Sequence, residues 1–269
     1  MEWNKIKTIF IIAFLILDIY LGYEFYKLYN SNQYDYMSEM SFENQLKTEE
    51  IEYVELPKNI KKGVYLSATP KKFTQAELNK VKDTKLKGQS ISVINGTTIK
   101  SNFEETIKIN DDFDPAELSN FLKNRVYLGD QYDFWEMDKK NLTITYYQHL
   151  EDKLLYKNIS GELTFYLNDK HEITSYKQTF LEKFEELSEE ENILQPIKAI
   201  EILYENGKLP YGSKITKVEL GYYTLVHLSS SQVLTPVWRF VVNDKEDLFV
   251  NAIEGQIIQL NNEDKKIVE

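Results

Sequence analysis

The side chains best suited to metal binding or catalysis are three histidines and a large number of carboxylates. His149, His171 and His227 are isolated in the sequence, and none has a second nitrogen or sulfur ligand near it. Zinc sites usually draw on clustered histidine and cysteine ligands, so we interpret these residues as ordinary sheet or surface histidines. The chain has no cysteine, which excludes disulfides, thiolate zinc sites and cysteine nucleophiles. The sequence therefore predicts no metal site.

The carboxylates do not point to an enzyme either. A glycosidase needs only two carboxylates at a suitable separation, and among 43 acidic residues some pair always qualifies. The acidic run 182–191 is typical of a solvated helix or loop. The chain contains no G-x-S-x-G, P-loop, H-E-x-x-H or Rossmann glycine pattern. We predict a protein that is not an enzyme, without catalytic residues or a cofactor.

The most distinctive stretch is the apolar run 8–23, whose single charged side chain is Asp18. A helix from Ile6 to Tyr26 would be roughly 30 Å long, which matches the hydrocarbon core of a bilayer. Aromatic residues lie on both sides of the run, as expected for anchors at the two membrane interfaces. The sequence predicts a single transmembrane helix.

A cleaved signal peptide is the competing interpretation of this run. No small-residue cleavage site follows it, which favours an uncleaved signal-anchor. Lys5 and Lys7 precede the run, and positive flanks are usually retained on the cytoplasmic side. We therefore expect a single-pass protein of the cell membrane, with a cytoplasmic N-terminus and an extracytoplasmic C-terminal domain.

A carboxylate in a membrane helix usually faces a partner helix or a cavity, because its insertion costs a few kcal/mol. Helical spacing places Asp18 on one face with Gly22, where a neighbouring backbone could approach closely. The predicted partner-helix interface consists of Ile11, Phe14, Leu15, Asp18 and Gly22. An equally weighted alternative is that Asp18 lies near the outer end of the run and extends to water.

The charge of the chain lies outside this membrane segment. Residues 1–30 contain three acids and three lysines, so the formal net charge of −11 belongs to the remainder. This excess argues against nucleic acid as a partner and against a domain that lies flat on anionic lipid.

Start and stop signals predict three helices in the external region. Thr74 and Glu77 form a capping-box pattern. Asp114-Pro115 provides a cap followed by an N1 proline. After Pro196, apolar residues recur at helical spacing up to Tyr204, with a glycine just beyond.

Short alternating segments separated by polar turns predict antiparallel strands, and Asn95-Gly96 predicts a two-residue hairpin. The predicted fold class is α+β, with the membrane helix followed by two units that each pack helices on an antiparallel sheet. The predicted ranges are a cytoplasmic stub and membrane helix 1–30, a connector 31–50, a first unit 51–190 and a second unit 191–269.

Both ends of the chain resemble the YycI (WalI) family of Gram-positive Firmicutes. The resemblance lies in the opening Met1-Glu-Trp-Asn-Lys-Ile-Lys-Thr-Ile-Phe-Ile-Ile-Ala-Phe-Leu-Ile-Leu-Asp18 and in the closing Pro236-Val-Trp-Arg-Phe240 and Phe249-Val-Asn-Ala-Ile-Glu-Gly-Gln-Ile-Ile258. The closing stretch is also similar to the strand-turn-strand of PepSY-type domains, which is a weaker likeness.

The resemblance implies a function that residue patterns alone do not supply. YycI proteins are extracytoplasmic accessories of the sensor histidine kinase WalK, act together with YycH and restrain or tune signalling that governs cell-wall metabolism. The family has no known catalytic residues to transfer to this chain. Two alternatives stay open: a membrane-tethered module that binds a wall ligand or inhibits a peptidase, and a wall hydrolase.

Overall fold

The architecture was analysed in a computed structural model that describes residues 7, 10–23, 42–58, 60–110, 112–227 and 230–259. Residues 10–23 and 42–48 are helical. The external region adds helices α1 (Gln75–Val81), α2 (Ala116–Arg125) and α3 (Pro196–Glu205), and a 3₁₀ turn at Gly129–Gln131. Its strands are β1 (Glu52–Tyr53), β2 (Lys62–Gly63), β3 (Leu66–Pro70), β4 (Gln89–Ile94), β5 (Thr98–Lys108), β6 (Tyr132–Asp138), β7 (Thr143–Leu150), β8 (Lys153–Tyr156), β9 (Glu162–Leu167), β10 (Glu172–Gln178), β11 (Leu181–Glu186), β12 (Glu191–Asn192), β13 (Lys214–His227), β14 (Gln232–Val242), β15 (Glu246–Asn251) and β16 (Ile257–Ile258).

A first sheet has the antiparallel order β6-β7-β9-β10-β5-β4. Helices α1 and α2 contribute to its core through Leu78, Leu118 and Leu122, which are buried with Phe165 and Tyr176 of the sheet. The capping box predicted for α1 is confirmed, since Thr74 and Glu77 make both reciprocal hydrogen bonds. We call this assembly the first core.

A second sheet is built on the long hairpin of β13 and β14. Besides pairing with each other, each of these strands pairs with two further strands along its length. The beginning of β13 pairs with β1 and its later part with β8, while β14 pairs first with β3 and then with β15. Helix α3 lies against this sheet and buries Ile197, Ile200 and Leu203 against Trp238 and Phe240. We call this assembly the second core.

The predicted α+β class is confirmed, but the sheets are not purely antiparallel. The pairings of β1 and β8 with β13 are parallel. The interpretation of the acidic run 182–191 as a solvated helix or loop is wrong for its first half, which belongs to strand β11. Leu181 of that strand is buried and β11 pairs with β3, so these acids lie along the edge of a sheet. Residues 187–190 form a loop in which Glu189 and Glu190 are exposed, as predicted.

Hydrogen bonding is continuous between the predicted units 51–190 and 191–269. Strands β3 and β11 belong to the first predicted range and pair with each other. Strand β3 also pairs with β14, which belongs to the second predicted range. The division into two domains stays a prediction, but the two cores are joined by paired strands and not by a free linker.

Strand β8 joins the two sheets. It pairs with β7 through residues 153 and 154 and with β13 through residues 155 and 156. A β-carbon on Gly221 of β13 would overlap the Tyr156 ring and lie 2.5 Å from the Leu154 carbonyl oxygen. Only glycine therefore lets β8 approach β13 this closely.

We expect Gly221→Ala to lower the free energy of unfolding of the full chain by about 1–3 kcal/mol, the usual cost of overpacking. The measurement is chemical denaturation followed by tryptophan fluorescence. Gly161→Ala is the matched control, since its β-carbon would meet a Gln148 side-chain atom at 3.2 Å and needs only a small adjustment. Equal stability of the two variants would show that β8 does not depend on this close approach.

Candidate functional site

The five residues of the predicted partner-helix interface lie in the helical segment 10–23. The exposed fractions of Ile11, Phe14 and Leu15 are 65%, 61% and 55%, and a β-carbon on Gly22 would meet no atom within 4 Å. Asp18 is also exposed. At 3.6 residues per turn the five positions share one face, which leaves an apolar stripe with one carboxylate open to a partner.

The transmembrane prediction extends beyond the residues that can be described. Positions 6, 8–9 and 24–26 of the predicted helix lie outside the described residues, as do residues 31–41 of the predicted connector. Within the described ranges, no helix combines the length and the apolar character needed to cross a membrane. The transmembrane helix therefore stays a prediction.

The end of the predicted connector is part of the second core. Phe42, Leu46 and Ile51 are buried against α3 and β14, with exposed fractions of 5%, 0% and 4%. The rings of Phe42 and Tyr204 make an edge contact at 5.9 Å, and the Gln45 amide donates to the Tyr204 hydroxyl over 3.2 Å. Sequence patterns alone did not reveal this packing, because within the described residues 42–50 just Phe42 and Leu46 are buried apolar side chains.

Helix 42–48 continues directly into β1. The amide of Ile51 donates to the Leu46 carbonyl at 2.8 Å, and Glu50 adopts a left-handed conformation at the helix end. Strand β1 then pairs with the start of β13. We call residues 42–53 the entry segment, and it is held by core packing and by sheet hydrogen bonds.

An aromatic and charged cluster links the two cores on another surface. Trp135 of β6 lies where a β-bulge leaves it without a cross-strand partner, and such bulges redirect side chains. Its ring contacts Tyr156 at 6.0 Å and lies 4.3 Å from the Arg239 guanidinium carbon. Arg239 in turn donates to Glu219 at 3.0 Å and to Asp247 at 2.7 Å. We call these five residues the Trp135 cluster.

A buried polar network holds the loop between β8 and β9 against the second sheet. The Asn158 amide donates to the Thr224 hydroxyl at 2.5 Å and to the Gln232 carbonyl oxygen at 2.7 Å. Gln232 donates onward to the Ser160 hydroxyl at 2.7 Å. Buried polar groups are costly unless they are paired, so this network fixes the loop after β8 against β13 and β14.

The surroundings of four titratable side chains raise their pKa values. Burial raises the pKa of Tyr132, Tyr146 and Tyr156 well above its usual value. Burial alone would lower the pKa of Lys71, but hydrogen bonding and attraction to Glu182 outweigh it and the pKa is raised. Neutral tyrosines and a charged lysine at neutral pH provide no general base.

The described histidine side chains lie next to neighbouring backbone groups or on an exposed turn. The ring nitrogens of His149 lie 2.6 Å and 3.2 Å from the carbonyl oxygens of Glu151 and Asp130. His171 occupies an exposed turn with a positive φ of 57°. The His227 side chain is outside the description. Among the described residues, no group of three or more His, Asp or Glu side chains could hold a metal ion.

Comparison with known proteins assigns the family. The model of the YycI protein family matches residues 29–253, which is most of the chain. The chain belongs to the YycI family. YycI proteins are accessory regulators of the WalK two-component system and are not known as enzymes. This confirms the family that the resemblance implied, and the match includes the closing stretch up to residue 253, whereas the opening stretch 1–18 lies outside it.

Three solved structures of low sequence identity are partly similar to this chain. An uncharacterized protein from Eubacterium rectale is 10% identical, with a TM-score of 0.44 over 75% of this chain and 86% of that chain. The YpeB C-terminal domain from Bacillus megaterium is 12% identical, with a TM-score of 0.40 over 71% and 100%. YycH from Bacillus subtilis is 14% identical, with a TM-score of 0.41 over 75% of this chain and 54% of YycH. A search of curated proteins finds no match.

For this YycI-family chain we expect Leu46→Ala to destabilise the second core by about 2–5 kcal/mol, because it removes a fully buried side chain. Chemical denaturation of the full chain measures the loss. Lys47→Ala is the control, since that neighbouring side chain is exposed and should change stability by no more than about 0.5 kcal/mol. Two equal effects would mean that the entry segment is not anchored as described.

The Trp135 cluster yields a separate prediction. Arg239→Met removes the cation that Glu219 and Asp247 share and should lower the free energy of unfolding by about 1–3 kcal/mol, a range reduced for partial solvent exposure. Arg239→Lys keeps the charge but loses the planar, two-sided contact, so we expect an intermediate loss. Lys217→Met removes only an exposed partner of the same Glu219 and is the control. If Arg239→Met and Arg239→Lys were both as stable as Lys217→Met, this role would be contradicted.

Proposed function

We propose that this protein is a membrane-anchored extracytoplasmic accessory that restrains the WalK sensor kinase together with a YycH-type partner. The family match over residues 29–253 carries this proposal. The proposed contacts are the helical face defined above and surfaces of the external cores. In this proposal the N-terminus is cytoplasmic, the apolar helix spans the cell membrane, and the cores lie outside it.

The exposed helical stripe supports a helix-to-helix contact. Fourteen consecutive helical residues, 10–23, are all exposed in the chain. Inside a bilayer, close packing at a small residue and one interhelical hydrogen bond are effective ways to associate helices. Gly22 supplies the small residue and Asp18 the hydrogen-bonding group, both on the face of Ile11.

The anchored entry segment supports communication between the helix and the external cores. Because Leu46 and Ile51 are buried in the second core, a shift of that core displaces the start of helix 42–48. A regulator can bias a kinase only if its contacts differ in free energy between the two signalling states. A difference of about 1–3 kcal/mol, usual for allosteric coupling, would change the kinase equilibrium about fivefold or more.

The helical face can be tested with a matched pair of substitutions. Ile11→Ala alters the predicted face, whereas Ile16→Ala removes the same side chain from nearly the opposite side of the helix. We expect Ile11→Ala to reduce co-purification of the kinase with the full chain from membranes about fivefold, and Ile16→Ala to leave it unchanged. The readout is quantitative mass spectrometry of all captured proteins, with the membrane level of each variant measured in parallel.

A second pair tests the carboxylate. Asp18→Leu removes the hydrogen-bonding group, while Asp18→Asn retains it without the charge. We expect Asp18→Leu to lose partners and to release kinase output in a reporter strain, and Asp18→Asn to resemble the wild type. Unchanged capture in both Asp18→Leu and Ile11→Ala, or a mature protein freely secreted from beyond residue 26, would refute the proposal.

A further inference from the structure

A cleft of about 580 Å³ opens between the two cores, at the end of β3 and beside the β4–β5 hairpin. Its walls come from both cores, because Thr69 and Gln232 belong to the second sheet while Thr98 and Thr179 belong to the first sheet or follow it. Its size falls within the usual range of small-molecule sites. We call it the waist cleft.

Several polar groups of the waist cleft have no hydrogen-bond partner within the described part of the chain. They are the Lys72 ammonium, the Asn95 amide and the hydroxyls of Thr69, Thr97 and Thr98. The described lining contains no acidic side chain, although the whole chain carries a net charge of −11. One cation and several neutral donors and acceptors therefore converge on one volume.

The polar side chains at the floor of the cleft are already held in place by hydrogen bonds within the chain. Gln232, with an exposed fraction of 2%, is fixed by Asn158 on one side and donates to Ser160 on the other. The Ser160 oxygen accepts this bond, so its own proton can be donated into the cleft. Side chains held in this way can bind a ligand without first being ordered, which favours affinity.

The chemistry of the lining restricts the class of ligand. No aromatic ring lines the described walls, which disfavours a nucleobase or another flat ring. Pro70 and Ile159 supply small apolar surfaces between the polar groups, and a sugar ring presents the same alternation of C–H faces and hydroxyls. The unpaired Lys72 ammonium adds a preference for a negative group.

We propose that the waist cleft binds a small anionic polyhydroxyl compound of the sugar-acid class. The carboxylate of the ligand pairs with Lys72, and its hydroxyls bond to Thr98, Asn95 and Ser160. Because both cores contribute, bound ligand would hold them together at the waist. This inference does not depend on the kinase contact, since the cleft lies in the external cores.

The test uses the full chain in a detergent without a sugar headgroup, so that the detergent does not compete. Calorimetry compares D-glucuronate, D-glucose and inorganic phosphate, which separate the carboxylate from the hydroxyls and from anion binding alone, and saturation-transfer NMR follows the two sugars independently. Lys72→Met removes the cation, and Lys140→Met is the matched control at an exposed turn remote from the lining. Thr98→Val removes one hydroxyl at nearly constant shape.

We expect glucuronate to bind about tenfold more tightly than glucose or phosphate, Lys72→Met to abolish that preference, and Thr98→Val to weaken both sugars. Lys140→Met should bind like the wild type, and circular dichroism should show all three variants folded. Equal binding of glucuronate and phosphate, equal effects of Lys72→Met and Lys140→Met, or no saturable binding of glucuronate at millimolar concentration would each overturn the proposal. None of these outcomes bears on co-purification of the kinase.

Discussion

The arrangement of the external region depends on the close parallel contact between β8 and β13. Within the described part of the chain, β8 joins the two sheets through two residue pairs on each of its sides. The contact requires Gly221, because any side chain there would meet Tyr156 and the backbone of Leu154. The Trp135 cluster and the Asn158 network then fix the same junction from two further sides, so it does not depend on backbone pairing alone.

In the proposed regulatory role, this junction is the part of the chain through which a displacement of one core would reach the other. The entry segment is packed into the second core, whereas the waist cleft draws residues from both cores. A change in the angle between the cores would alter the cleft and, through β13 and β1, the position of helix 42–48. Packed interfaces of this kind tend to have discrete arrangements, which is what a regulator of a two-state kinase requires.

Local signals in the sequence predicted local structure well. The capping box at Thr74 and the helix from Pro196 were confirmed, because each depends on neighbouring residues only. The hairpin at Asn95-Gly96 also forms, but three residues rather than the predicted two lie between the paired Ile94 and Thr98. Strand β11 was not predicted, because its exposed acidic residues outnumber the buried Leu181 and no local pattern indicates pairing with a distant strand such as β3. The parallel pairings of β13 were missed for the same reason, because they join residues far apart in the sequence.

The candidate site shows the same division. Periodicity was sufficient to place five residues on one helical face, since the spacing of a helix is fixed by its geometry. Periodicity could not predict that the Arg239 guanidinium lies over the Trp135 ring, because this contact requires a bulge in one sheet and an ion pair in the other. The exposed helical stripe and the junction between the cores are under different sequence constraints. Residues of the stripe can change together with those of a partner helix. Residues of the junction must preserve the packing of one core on the other. A regulator that joins the two can therefore change its partner without losing its own internal coupling.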